Sequence, residues 1–122
     1  MRTKRRSELT AHQLLERKCD EAVTAWVKSH ERCECCGLVR MRLEPHHIGG
    51  RGHAARWDYD SIGILDRVCH GAMQYDEELE DSVFGVDRCE RARDLGNQVR
   101  KYTLEDLEAK LSEIKSWPRR DA

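Results

Sequence analysis

Residues 33–50 read Cys-Glu-Cys-Cys-Gly-Leu-Val-Arg-Met-Arg-Leu-Glu-Pro-His-His-Ile-Gly-Gly, and their partner lies at 64–70, Ile-Leu-Asp-Arg-Val-Cys-His. Cys33 and Cys36 form a C-x-x-C pair followed by Gly37. Two thiolates at that spacing can grip one tetrahedral zinc from a tight turn, and the glycine permits the turn. A redox dithiol would sit at a helix start in a βαβ setting, which this stretch lacks. Cys69 supplies a third thiol. A second C-x-x-C ending there would need a cysteine at 66, where Asp66 stands instead. A carboxylate also binds zinc, so Cys33, Cys36, Asp66 and Cys69 make a complete set, with Cys35 or His30 as other possible fourth ligands.

The surrounding sequence is short pieces. Residues 38–43 alternate apolar and polar, the pattern of a first strand, and 45–48 would begin a second. Gly49-Gly50-Arg51-Gly52 reads as a loop, because three glycines in four residues do not sustain a helix. Residues 70–80 read as helical. Outside this middle, 8–29 carries Leu14, Leu15, Cys19, Ala22, Val23, Trp26 and Val27 at helical spacing, with Ser7 or Thr10 as cap. One tail helix covers about 86–101. Another follows Thr103, with Asp106 in the capping-box position, a stripe of Leu104, Leu107, Leu111, Ile114 and Trp117, and Pro118 at its end. Cys19 and Cys89 read as small buried hydrophobes on helices, and His12, His30 and His53 as hydrogen-bonded structure. The expectation is one α+β domain over 1–122, with a core at 33–75 flanked by helices at 8–29 and 86–117.

Composition sets the frame. The chain has 122 residues, 37% charged and 39% hydrophobic, with six cysteines. So small a domain buries a modest share of its surface and profits from a staple. The first residues are basic and no apolar run follows them, so neither a secretory leader nor a membrane span is expected. A cytoplasmic location, in a bacterial or phage-infected host cell, keeps thiols reduced and favours metal over disulfides. The 22 Lys and Arg stand against 23 Asp and Glu. Their distribution is uneven: Arg2, Lys4, Arg5 and Arg6 cluster at the start, and Arg40, Arg42, Arg51, Arg56 and Arg67 surround the cysteine and histidine motifs. Most acids lie in 76–94 and 105–113. Local charge governs phosphate contact more than the sum does.

The order Cys33-x-x-Cys36-Gly37, His46-His47-Ile48, a glycine-rich loop, then Ile64-Leu65-x-x-x-Cys69-His70 resembles the HNH (ββα-metal, His-Me finger) endonucleases, most of all their small phage-type members. The likeness spans roughly residues 33–75. It implies a ββα-metal core with a zinc knuckle, a structural Zn²⁺ on Cys33, Cys36, Asp66 and Cys69, and hydrolysis of DNA. It places His46 and His70 as ligands of one catalytic divalent metal, Mg²⁺, Mn²⁺ or Ni²⁺, and His47 as general base. Ser61 stands where the family has its middle asparagine, and Gln74 where some members carry another metal-binding histidine. Arg51 and Arg56, in the intervening loop, are candidate phosphate contacts. The partner is nucleic acid rather than membrane. A zinc-stabilised module that binds nucleic acid or protein without cutting is the alternative, and a purely structural zinc protein is a third.

Overall fold

The computed structural model describes residues 9–50 and 52–120, apart from the side chain of His53. Helix α1 (Ala11–Lys28) starts in a reciprocal cap. Thr10 Oγ1 accepts from the Gln13 backbone N–H at 3.1 Å, and Gln13 Oε1 accepts from that of Thr10 at 3.1 Å. Its buried residues, Cys19, Val23, Trp26 and Val27, recur every three to four positions and so form one stripe. That stripe packs along the last helix, α5 (Leu104–Lys115), which buries Leu107 and Ile114 and opens with Thr103 and Asp106 in the expected reciprocal cap. Trp117 meets Trp26 edge-on, with centroids 5.1 Å apart. Cys19 and Cys89 are both fully buried, as expected.

Against α1 lies an antiparallel hairpin of β1 (Leu43–His47) and β2 (Ile62–Asp66). Its register pairs Leu43 with Asp66, Pro45 with Ile64, His46 with Gly63 and His47 with Ile62. Pro45 is tolerated because both strands of a two-stranded sheet are edges. β2 is buried at every residue, which suits its apolar run of Ile62, Ile64 and Leu65. Its outer edge is closed by the cysteine turn: Glu34 N donates to Ile64 O at 2.8 Å, and Ile64 N donates to Glu34 Oε1 at 2.8 Å.

Helix α2 (Arg67–Met73) begins as β2 ends, capped by Asp66. α3 (Glu77–Phe84) and α4 (Val86–Gly96) follow, separated by Gly85 at φ +90°. α4 lies against the loop leaving β1 with backbone touching backbone. A Cβ on Gly49 would come within 2.0 Å of Ala92 O, and one on Gly96 within 2.1 Å of Gly49 O. The architecture is α+β: among the described residues, five α-helices accompany a hairpin that runs directly into α2. Among the described residues no helix is long and apolar enough to cross a membrane.

The expected segment boundaries shift in four places. Residues 38–42 form no strand, and only Leu43 of the expected first strand enters β1. Only an isolated bridge, Arg32 with Val39, occurs there, and Leu38, Val39 and Met41 are exposed. The backbone groups are used to close the turn instead, through Cys33 N to Leu38 O, Gly37 N to Cys33 O and Arg40 N to Glu31 O. Of the segment at 45–48, residues 45–47 therefore belong to the first strand, and its partner is 62–66. The helix expected over 70–80 breaks at Tyr75, whose φ of +67° no helix accepts. The helix expected to reach 101 ends at Gly96.

Candidate metal centre and histidine cleft

The junction of β2 and α2 carries the cysteine group. One ligand atom from each of Cys33, Cys36, Asp66 and Cys69 lies within 4.8 Å of the others. A tetrahedral zinc about 2.3 Å from each sulfur sets thiolates roughly 3.8 Å apart, so the donor set and its spacing fit zinc. Cys33 is buried, and Cys69 is half-buried in the first turn of α2. Asp66 Oδ1 accepts from Cys69 N at 2.7 Å. Its Oδ2 accepts from Arg40 Nε at 3.1 Å and lies 3.3 Å from Cys36 Sγ. The Cys69 amide, then the neighbouring thiols and Arg40, pull the Asp66 carboxyl down to about 2. The Leu38 amide holds the Cys36 thiol below its ordinary value. Burial, then Cys33, Asp66 and Cys35 beside it, pushes the Cys69 thiol up.

Of the other candidate ligands, His30 is committed elsewhere. Its Nδ1 lies 2.8 Å from Trp26 O, and its Nε2 accepts from Arg120 N at 3.0 Å. It is structural, as expected for this histidine. His12 is too, bonded to Glu16 at 2.9 Å and to Tyr102 O at 2.7 Å. Cys35 neighbours Cys69 but stands outside the four-membered group.

None of the four ligands in the cysteine group lines the cleft that holds the histidines. His46 and His47 from β1 and His70 from α2 line one cleft of about 920 Å³, together with Thr24, Gln74, Tyr75, Glu80 and Arg93. His46 is buried. Its ring stacks on Phe84 at 5.9 Å and meets His70 edge-on at 5.2 Å. Each of these two imidazoles has its own carboxylate: His46 Nε2 is 2.6 Å from Glu80 Oε2, and His70 Nδ1 is 2.5 Å from Glu44 Oε1. Burial lowers the pKa of His46 against the opposing pull of Glu80, so the ring favours its neutral form. His47 keeps its backbone carbonyl in the turn that follows, accepting from Gly50 N at 3.0 Å. Among the described residues, only the cysteine group brings three or more ligand atoms into mutual reach.

Ser61 is almost fully buried just ahead of β2. Its hydroxyl donates to Asp58 Oδ2 at 2.7 Å, and its carbonyl accepts from Ile48 N at 3.0 Å. It therefore braces the loop against the end of β1. Arg56 is not placed for a phosphate: its guanidinium donates to Asp20 at 2.7 Å and Glu16 at 3.0 Å and covers the Trp57 ring at 4.6 Å. The loop turns it inward because α1 presents two carboxylates there. Arg51, the side chain of His53 and the basic cluster at 2–6 lie outside the described residues.

Glu80, Arg93 and Glu44 escaped the sequence reading. Glu80 and Arg93 sit in helical runs of mixed charge that read as solvated faces, and nothing local marks them as turned toward a histidine. Glu44, two residues before His46, could have been found from strand alternation. No protein-family model, curated protein or solved structure matches this chain.

Proposed function

We propose that this chain is a metal-dependent endonuclease of the HNH, ββα-metal kind, hydrolysing phosphodiester bonds in DNA. The observation that carries the reading is the single cleft lined by His46, His47 and His70, built from a hairpin and the helix that follows it. The cysteine group supports it. Cys69 and His70 are consecutive, so a zinc held by Cys33, Cys36, Asp66 and Cys69 would fix the backbone that presents His70.

The residue types suit the chemistry. His47 takes a proton from the attacking water, a task for a side chain that titrates near neutrality. His46 and His70 would hold the divalent cation that contacts the phosphate. When bound, Mg²⁺, Mn²⁺ or Ni²⁺ supplies charge neutralisation at the phosphate and stabilises the departing 3′ oxygen. Ser61 holds the loop that ends β1 rather than touching the reacting atoms.

The test is nicking of supercoiled plasmid by zinc-loaded protein, with each of the three metals in turn and EDTA as control. Metal-dependent conversion to open circles is expected. One observation favours a second reading, a nucleic-acid-binding module without catalysis: the Ser61 hydroxyl is spent on Asp58 and leaves the asparagine's place in the site unfilled. Salt-sensitive DNA binding with no cleavage in any metal would establish that reading instead.

A further inference from the structure

We infer that Glu80, held by Arg93, is a positioning residue that fixes His46 as the Nε2–H tautomer and leaves Nδ1 as its lone-pair nitrogen. The two residues come from α3 and α4, outside the stretch that carries the HNH resemblance. Glu80 is buried, and its two oxygens are divided. Oε1 accepts from Arg93 Nη2 at 2.6 Å, and Oε2 faces His46 Nε2 at 2.6 Å. A guanidinium only donates, and a carboxylate only accepts. The proton in the second bond therefore belongs to His46 Nε2, and a neutral imidazole carries one ring proton.

The rest of the surroundings keeps Glu80 in place. Arg93 also pairs with Asp81 at 2.9 Å and Glu77 at 3.2 Å, which anchors its fork across α3. Phe84 stacks on the His46 ring, His70 meets it edge-on, and Gly63 sits across the sheet where a side chain would strike Phe84. The ring can neither slide nor flip without breaking the Glu80 bond. His70 carries the complementary arrangement, with its Nδ1 on Glu44. A carboxylate behind each histidine is the usual way a metal-binding imidazole is oriented. The metal-binding consequence rests on the nuclease reading, whereas the tautomer does not.

Glu80→Gln tests the inference with an isosteric side chain. Asp81 and Glu77 take Arg93 Nη1 and leave Nη2 donating to position 80, so the substituted amide turns its oxygen to Arg93 and its NH₂ to His46. Nε2 must then accept, and the ring proton moves to Nδ1. Long-range ¹H–¹⁵N spectra at pH 8 are expected to show the Nε2–H tautomer for His46 in the wild type and Nδ1–H in Glu80→Gln, with the hairpin resonances unchanged. Any other protonation pattern in the wild type, or the same tautomer in both proteins, would overturn the assignment. The wild-type spectrum decides alone if the variant does not fold. Mn²⁺ affinity, measured by electron paramagnetic resonance on zinc-loaded protein, is expected to fall about 10- to 100-fold in Glu80→Gln, and unchanged affinity would overturn the role in presenting the ligand. A tautomer switch in a chain that never cleaves DNA would uphold the positioning role and remove the nuclease reading alone.

Discussion

Asp66 does two jobs with its two oxygens. Oδ1 caps α2 through the Cys69 amide, while Oδ2 faces Cys36 and Arg40 within the four-ligand group. Capping and metal binding separate on substitution. Asn caps a helix as well as Asp does but brings no anion, so Asp66→Asn is expected to keep the fold and release zinc faster. Asp66→Cys, completing a four-thiolate set, is expected to retain zinc at least as well as the wild type, at the loss of a cap worth about 1 kcal/mol. Competition with a coloured chelator checks both, and slow release from the Asn variant would remove Asp66 from the ligand set. This site was legible residue by residue, because Cys33, Cys36 and Cys69 carry a spacing with chemical meaning. Glu80, the carboxylate that holds His46, was not legible, since an acid on a charged helix looks the same whether it meets water or an imidazole 34 positions away.

The elements meet most tightly where α4 crosses the loop that leaves β1. Gly49 and Gly96 allow a backbone approach that no side chain would permit. Gly49→Ala is therefore expected to destabilise the fold by about 3 kcal/mol, at the upper end of overpacking costs, because the obstructing atoms are a helix carbonyl and not a flexible side chain. Chemical denaturation checks this, and a change under about 1 kcal/mol would contradict the close approach. The helices were readable from their stripes and caps. The strands were harder to place. Residues 38–43 alternate as a strand should, yet the cysteine turn uses the Leu38 and Arg40 backbone groups and leaves Leu38, Val39 and Met41 exposed, and only Leu43 enters the strand. Ile62–Asp66 is the true partner, and a strand buried on both faces carries no alternation to read.

For the molecule as a whole, two arginines of the C-terminal flank converge on the start of β2. Arg88 of α4 donates to the carbonyls of Asp60 and Ile62. Arg120, beyond α5, donates to Ile62 O at 2.6 Å, to Tyr59 O and to Glu34 Oε1 at 2.9 Å, and lies over the Tyr59 and Trp26 rings. Glu34 in turn pairs with Ile64, so one arginine joins the chain's end to the cysteine turn and the hairpin. Arg120→Met is expected to speed amide exchange at Ile64 more than in the middle of α1, and equal protection in variant and wild type would show that the arginine decorates the surface. No sequence pattern announces such a contact, because an arginine after Pro118 looks like a solvated end. The same convergence explains why the flanking helices matter to the cleft: α3 and α4 deliver Glu80 and Arg93 to a histidine that belongs to the hairpin.

On the proposed function, this cleft cuts DNA with His47 as its base. The most direct measurement is the single-turnover nicking rate of wild type and His47→Ala, matched for zinc content, in saturating Mn²⁺. The expected result is a loss of about 10²- to 10⁴-fold in His47→Ala with DNA binding retained. An equal rate in the two proteins, or no cleavage by a folded, zinc-loaded wild type, would contradict it.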